Sequence, residues 1–427
     1  MLAFFDVLVI TVYIILISSI GLYFSKRQKN VNDYFKGGER IPSWAAGLSL
    51  FGTILSPITF MAIPAKTYST DWSYFLFNLS VLLVIPVVVN LFIPFYRKKN
   101  IKTAYEYLEI RFNYIIRLIG SISFILYQIG RIGVILFLPS IAINLVTGLN
   151  VFTCISLIGG ISLIYTLIGG IEAVVWTDVV QVIVLLGGII ISLFIIISKT
   201  YGGLESIYSI AYTENKFNIF DLTLSFKKPT IWVMLIGGFF VNLTTYGTDH
   251  TTVQRYLITT SKEEAKKSVF IGGLLVIPST LIFFFMGTAL FVFYKINTNL
   301  LNPNFIYNDA IFPFYIVTQL PVGVSGILIA AIFAAAMSSL SSSMNAGAAS
   351  FSIDIYDRLN LGKSEKNLKI ARWVTFSIGI LGIFFAFFMA SKEIMSLWDE
   401  FNKILGLIFG SLGGVFLLGL LTKKANS

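Results

Sequence analysis

The chain has 427 residues, of which 56% are hydrophobic and 12% charged, with 39 Phe and a mean hydropathy of +0.84. Ordinary soluble domains carry roughly 25% charged residues, so a water-exposed globule is excluded, and a soluble enzyme with it. The net charge of +10 does not require nucleic acid, because Lys and Arg concentrate in the cytoplasmic loops of membrane proteins. A single cysteine, Cys154, excludes an internal disulfide and a multi-cysteine metal cluster, and a single histidine, His250, excludes a His-rich centre.

In chain order, residues 3–24 form the first apolar run. It is too long for a signal-peptide core, no basic residue precedes it, and Lys26, Arg27 and Lys29 follow directly, so it reads as a retained peripheral helix with its N-terminus outside. Further apolar stretches near the ~20 residues needed to cross ~30 Å of hydrocarbon occur at about 41–65, 71–96, 117–147, 151–168, 173–198, 230–248, 268–294, 311–345, 369–390 and 395–421, making eleven spans. With the N-terminus outside, the inner connections hold 22 Lys and Arg, including Arg255 in the stretch 255–267, and the outer ones hold 7. Arg131 and Lys403 fall within the membrane. The bias predicts a multi-pass protein with its N-terminus outside and C-terminus inside.

Two spans carry helix-disrupting sequence. Gly52-Thr53-Ile54-Leu55-Ser56-Pro57-Ile58-Thr59 interrupts the second, where Pro57 has no N–H to donate and frees a carbonyl near residue 53. Asn242, Thr244, Thr245, Tyr246 and Gly247 crowd the later half of the seventh. These spans are five apart. With the first helix peripheral, 41–198 and 230–421 become two five-helix sets, each opening on its interrupted helix. An odd number of spans per set gives the sets opposite topology, as in inverted-repeat transporters.

Three features carry chemistry. Arg131 lies mid-span between Gly130 and Gly133, where its insertion costs at least ~2.5 kcal/mol, so it needs a partner. Either that partner is a structural acid, or the guanidinium is presented to a substrate carboxylate, whose two oxygens its fork matches. Asp178, early in the sixth span beside Trp176, is either an interfacial carboxylate or a hard oxygen ligand for a cation. In the ninth span, Ala335, Ser338, Ser339 and Ser342 fall on one helical face, and five serines occupy the six positions 338–343. Such a stripe can serve as a packing seam with hydroxyls bonded back to carbonyls. Its density and the carbonyls freed by a broken helix also suit neutral oxygen coordination of Na⁺. A weak protease-like signal, Gly323-Val324-Ser325-Gly326 with His250 as base, would need two distant span ends to meet.

The chain resembles the sodium:solute symporter family over nearly its whole length. The resemblance is carried by Asp33-Tyr34-Phe35-Lys36-Gly37-Gly38, by Gly169-Gly170-Ile171-Glu172-Ala173-Val174 leading to Thr177-Asp178 and Gln181, by Thr248-Asp249 with Val253-Gln254-Arg255-Tyr256, and by Ala335-Ala336-Met337-Ser338-Ser339-Leu340-Ser341-Ser342. Ser56-Pro57-Ile58-Thr59-Phe60, Arg131 and the doubled serine pairs resemble the bacterial sialic-acid symporters within it. The resemblance implies an all-α polytopic membrane protein with a leucine-transporter-type 5+5 inverted repeat and one extra N-terminal helix. It also implies symport of N-acetylneuraminate or a related sugar acid with Na⁺ as coupling ion, by alternating access in a bacterial cytoplasmic membrane. Another carboxylate (proline, pantothenate or a monocarboxylate) and a sodium-gated sensor or leak protein are the alternatives.

Carried over residue by residue, a first Na⁺ site would use the carbonyls of Gly52, Leu55 and Ala335 and the hydroxyls of Ser338 and Ser339. A second would use Asp178, Ser338, Ser341 and Ser342. The substrate carboxylate would meet Arg131, while Ser56, Thr59 and Asn78, with Tyr74 one turn from Asn78, would face its polar groups. Asn78 departs from the subgroup pattern, which has Gln there.

Overall fold

The computed structural model describes residues 3–99, 101–301, 310–359, 368–392, 410–420 and 422. Among these the chain is helical, and strand pairing is confined to one isolated bridge between Ile41 and Thr259. Helix α1 spans Phe4–Ser25. Helices α2 (Ser43–Ile54) and α3 (Ile58–Ser69) meet at a 63° bend, because Pro57 cannot continue the hydrogen-bond ladder and Leu55 leaves helical geometry at φ −79°, ψ 87°. Helix α4 (Phe75–Lys98) contains Pro86 and a π-turn at Val88–Phe92. Helix α5 (Tyr114–Thr147) starts at the Asn113 cap, which accepts from Ile116 N at 3.0 Å, and ends at Gly148 with φ 72°.

The expected fifth and sixth spans meet in one helical stretch, α6 (Val151–Lys199), whose two halves divide at Gly170, between 151–168 and 173–198. A straight helix of that length would run ~73 Å, far beyond the hydrocarbon thickness. It is instead folded at Gly170 (φ 59°, ψ −164°), which brings Tyr165 beside Gln181, residues ~24 Å apart on a straight helix. This φ/ψ region is open essentially to glycine alone.

Helix α7 (Val233–Gly247) is followed at Thr248–Asp249 by a break and then by α8 (His250–Leu257), capped by Asp249, which accepts from Thr251 N at 2.8 Å. The sequence pattern places the interruption inside α7; the structure places it just after. Every residue of α8 is buried, including Arg255, so the assignment of Arg255 to a loop is wrong. Hydropathy misses α8 because it is polar and short, and its burial comes from distant partners. Helix α9 spans Lys262–Ile296.

The expected ninth span, 311–345, is two elements: α10 (Ile311–Gln319) and α11 (Val324–Asp357), joined through Pro321 and a turn at Gly323 with φ 87°. Helix α12 is Leu368–Ala390 and α13 is Gly410–Leu420. Most of the expected 395–421 span, with Lys403, lies outside the described residues.

Helix α11 is the hub, with α1, α5, α6 and α12 packed around it. Its run from Ala334 to Ser350 is wholly buried, as the small side chains there permit close helix approach. Alternate connections gather at opposite ends. At one end Arg27 and Arg40 pair with Glu172, Arg97 reaches Glu39 and Thr259, and Arg358 binds Glu109. At the other, Lys216 donates to the carbonyls of Tyr68 and Thr70, Lys295 pairs with Glu214, and Asp6 accepts from Gly323 N at 2.7 Å and Gly326 N at 2.8 Å.

Candidate functional site

The break between α2 and α3 lies against α5, α6, α8 and α11. The carbonyl deprived of its partner by Pro57 belongs to Thr53, four residues earlier, and it accepts from Arg131 Nη2 at 2.9 Å. Arg131 Nη1 stands 3.7 Å from Asp249 Oδ2, and its Nε is buried with no hydrogen-bond partner. The guanidinium is therefore neutralised by a loose ion pair and keeps unspent donor capacity.

On the other side of the break, Asp178 is fully buried. Its Oδ1 accepts from Ser338 at 2.6 Å, and its Oδ2 accepts from Ser49 at 2.5 Å and from Arg255 Nη2 at 3.3 Å. The Ser338 hydroxyl also lies 3.2 Å from the Gly52 carbonyl, so it joins the two expected cation sites. Gly52 has to be small: a Cβ there would stand 2.9 Å from Val182 Cγ2. Ser339 Oγ is buried and has no hydrogen-bond partner, an oxygen left over for a ligand. Ala335 is buried on the same helix, and Leu55 sits at the break itself.

Of the expected second set, Ser338 touches Asp178 directly, while Ser342 is linked to it by Arg255, whose Nη2 donates to Ser342 Oγ at 2.5 Å. Ser341 donates to the Ser338 carbonyl at 3.0 Å, the helix-internal bond of a packing serine. Among the described residues no group of three or more His, Cys, Asp or Glu gathers, so the concentrated donors here are hydroxyls, carbonyls and one carboxylate, a hard-cation set.

Ser56 and Thr59 lie at the start of α3, where Ser56 Oγ accepts from Thr59 N at 3.4 Å. Tyr74 and Asn78 are brought together elsewhere, in a recess also lined by Lys66, Thr67, Asp71 and Phe284; Lys66 Nζ sits 5.2 Å from the centre of the Tyr74 ring. Arg131 is not among the residues lining that recess. The protease-like pair is not assembled: Ser325 donates to the Ile316 carbonyl at 3.0 Å, while His250 Nδ1 accepts from Ala104 N at 3.3 Å.

Sequence reasoning missed three members of this cluster, Ser49, Asp249 and Arg255, and it located the Thr53 carbonyl as freed without giving it Arg131 as partner. Asp249 and Arg255 were visible only as members of a motif, and a buried cap and a buried cation six residues apart leave no periodic trace. Ser49 was legible in principle, since it lies one turn before Thr53 on the face of α2 that meets Asp178.

The family model for the sodium:solute symporter family matches residues 34–427. The sodium/sialic acid symporter NanT of Aliivibrio fischeri is 41% identical over 417 residues, covering 97% of this chain and 82% of that protein. The sodium/sialic acid symporter SiaT of Proteus mirabilis is 41% identical over 413 residues, covering 96% and 83%. A substrate-bound, outward-open structure of a Na⁺-coupled sialic acid symporter superposes with a TM-score of 0.93 at 39% identity, covering 99% of this chain and 88% of that one. The fold is the leucine-transporter-type helical bundle of secondary transporters, and Na⁺ is the coupling ion. The chain is a multi-pass membrane protein that belongs to the sodium:solute symporter family.

Proposed function

We propose that this protein imports N-acetylneuraminate or a closely related sugar acid with Na⁺ by alternating access. The observation that carries the reading is Arg131: a buried guanidinium in mid-membrane, held to the carbonyl freed by Pro57 and only loosely paired with Asp249, has donor capacity to receive a carboxylate. The two similar symporters named for sialic acid support the choice of acid.

In this reading Gly52, Leu55, Ala335, Ser338 and Ser339 bind one Na⁺ and Asp178, Ser338, Ser341 and Ser342 a second. Ser56 and Thr59 meet the substrate beside Arg131, and Tyr74 and Asn78 meet it from their recess. Sodium at the first site ties the broken α2–α3 pair to α11 and favours the state that admits substrate. The repeats are 41–198 and 230–421, and the protein lies in the bacterial cytoplasmic membrane, N-terminus outside and C-terminus inside.

The test is binding of N-acetylneuraminate and of its methyl ester, which lacks the charge, to the purified protein in Na⁺ and in K⁺. The reading requires tight binding of the acid in Na⁺ and weak binding of the ester. Equal affinity for acid and ester would overturn the role of Arg131.

A further inference from the structure

We infer that α8 couples the two ligands, because Arg255 and Asp249, at its opposite ends, hold the groups that the second sodium and the substrate carboxylate would use. The inference rests on the roles given above to Asp178 and Arg131, and it concerns two residues to which that reading gives no role.

Arg255 Nη2 lies 3.3 Å from Asp178 Oδ2 and 2.5 Å from Ser342 Oγ, so the guanidinium fills the space between two oxygens of the second sodium site. In a low-dielectric interior two cations cannot share these oxygens without strong repulsion, so Na⁺ must move the guanidinium off Ser342. At the other end, the Asp249 carboxylate is the counter-charge of Arg131, which an incoming substrate carboxylate would have to replace.

The two ends are mechanically one body. Only five residues lie between them, and α8 is held along its length: Gln128 Nε2 donates to Thr251 Oγ1 at 2.9 Å, and Gln254 Nε2 donates to the Phe35 carbonyl at 2.7 Å and to Asn345 Oδ1 at 2.9 Å. A shift that draws Arg255 away from Ser342 therefore also moves Asp249 relative to Arg131.

Charge balance points the same way. Asp178, Arg255, Asp249 and Arg131 sum to zero and interact electrostatically as a group. Adding the second Na⁺ alone or the carboxylate alone leaves an uncompensated charge in this group, whereas adding both restores its neutrality; the first Na⁺ would be held by neutral carbonyls and hydroxyls. Each ligand thus lowers the cost of admitting the other, and the coupling is reciprocal. Asp249 and Arg255 are positioning residues: they act through Arg131 and Asp178.

The test measures the Kd for N-acetylneuraminate without Na⁺ and at saturating Na⁺, together with the Na⁺ Hill coefficient, on the purified full chain. In the native protein Na⁺ should tighten substrate binding within the ~5–150-fold range of typical couplings. In Arg255→Gln the competitor is gone: Na⁺ affinity at the second site should be kept or improved, while the Na⁺ effect on substrate Kd should fall severalfold, to the part that sodium at the first site carries. In Asp249→Asn, substrate should bind severalfold more tightly without Na⁺. A native-size Na⁺ effect in Arg255→Gln would overturn the inference. If Arg255→Gln does not fold, Asp249→Asn decides alone, and an unchanged Na⁺-free affinity there is the contrary result. Asp178→Asn separates this from the underlying reading: an unchanged Na⁺ Hill coefficient in that variant removes the second sodium site itself.

Discussion

Arg131 donates to the carbonyl of Thr53 at 2.9 Å, the carbonyl that Pro57 leaves without its helical donor. A helix break and a buried charge, each costly alone in a membrane, thus satisfy part of each other's requirement. The arrangement leaves Arg131 oriented with Nε unpartnered. In the proposed role, its fit to a substrate carboxylate would come from the planar fork, which a lysine cannot reproduce.

Arg131→Ala should abolish acid binding while Na⁺ binding persists. Truncating one member of a buried charge pair costs roughly 2–5 kcal/mol, so substrate affinity should drop at least ~30-fold. Arg131→Lys should recover only a small part. Titration calorimetry with N-acetylneuraminate checks this, and an affinity unchanged in Arg131→Ala would contradict it.

Asp178→Ala should lower the Na⁺ Hill coefficient and also destabilise the protein, since it strands Arg255 in a fully buried position. Removing one partner of a buried pair typically costs about 3–5 kcal/mol. Melting of the detergent-solubilised variant should therefore fall by several degrees, with the double variant Asp178→Asn, Arg255→Gln less destabilised than Asp178→Ala. Additive losses in the double variant would mean that the two side chains do not act as a pair.

Gly170→Ala should impair folding without touching either ligand site. The residue sits at φ 59°, ψ −164°, and an added Cβ would stand 2.8 Å from Gln28 Oε1 and 3.0 Å from the Tyr34 carbonyl oxygen. The conformational strain alone is about 1–3 kcal/mol. The expected readout is a lower melting temperature with unchanged substrate Kd in the folded fraction.

Asp6→Ala should weaken the junction of α1 with α11. Asp6 Oδ1 accepts from Gly323 N at 2.7 Å and Gly326 N at 2.8 Å, so a side chain from the first helix caps a helix more than three hundred residues later. Loss of such a cap costs about 0.5–2 kcal/mol. A modest fall in melting temperature with an unaltered Na⁺ Hill coefficient is the expected result, and a changed Hill coefficient would give α1 a part in ion binding.

Much of this was legible in the sequence, for local reasons. The break at Pro57, the mid-span Arg131 and the hydroxyl face of Ser338, Ser339 and Ser342 each follow from one residue's backbone chemistry or from helical spacing. What escaped was set by contacts remote in the chain. The ninth span reads as one apolar run because hydropathy does not register the turn at Pro321 and Gly323, which Asp6 holds from the far end of the sequence. Arg255 reads as a loop cation because α8 is short and polar, and its burial depends on Asp178 and Ser342. Tyr74, just before α4, and Asn78 line one recess as their spacing implies, yet that recess includes Lys66 and Asp71, charges that spacing did not associate with them.

The central claim is sodium-driven accumulation of a sugar acid, and uptake of labelled N-acetylneuraminate into proteoliposomes tests it most directly. An inward Na⁺ gradient should drive accumulation above the equilibrium level, collapse of the gradient should release it, and Arg131→Ala should show none. Equal uptake with and without the Na⁺ gradient would contradict symport.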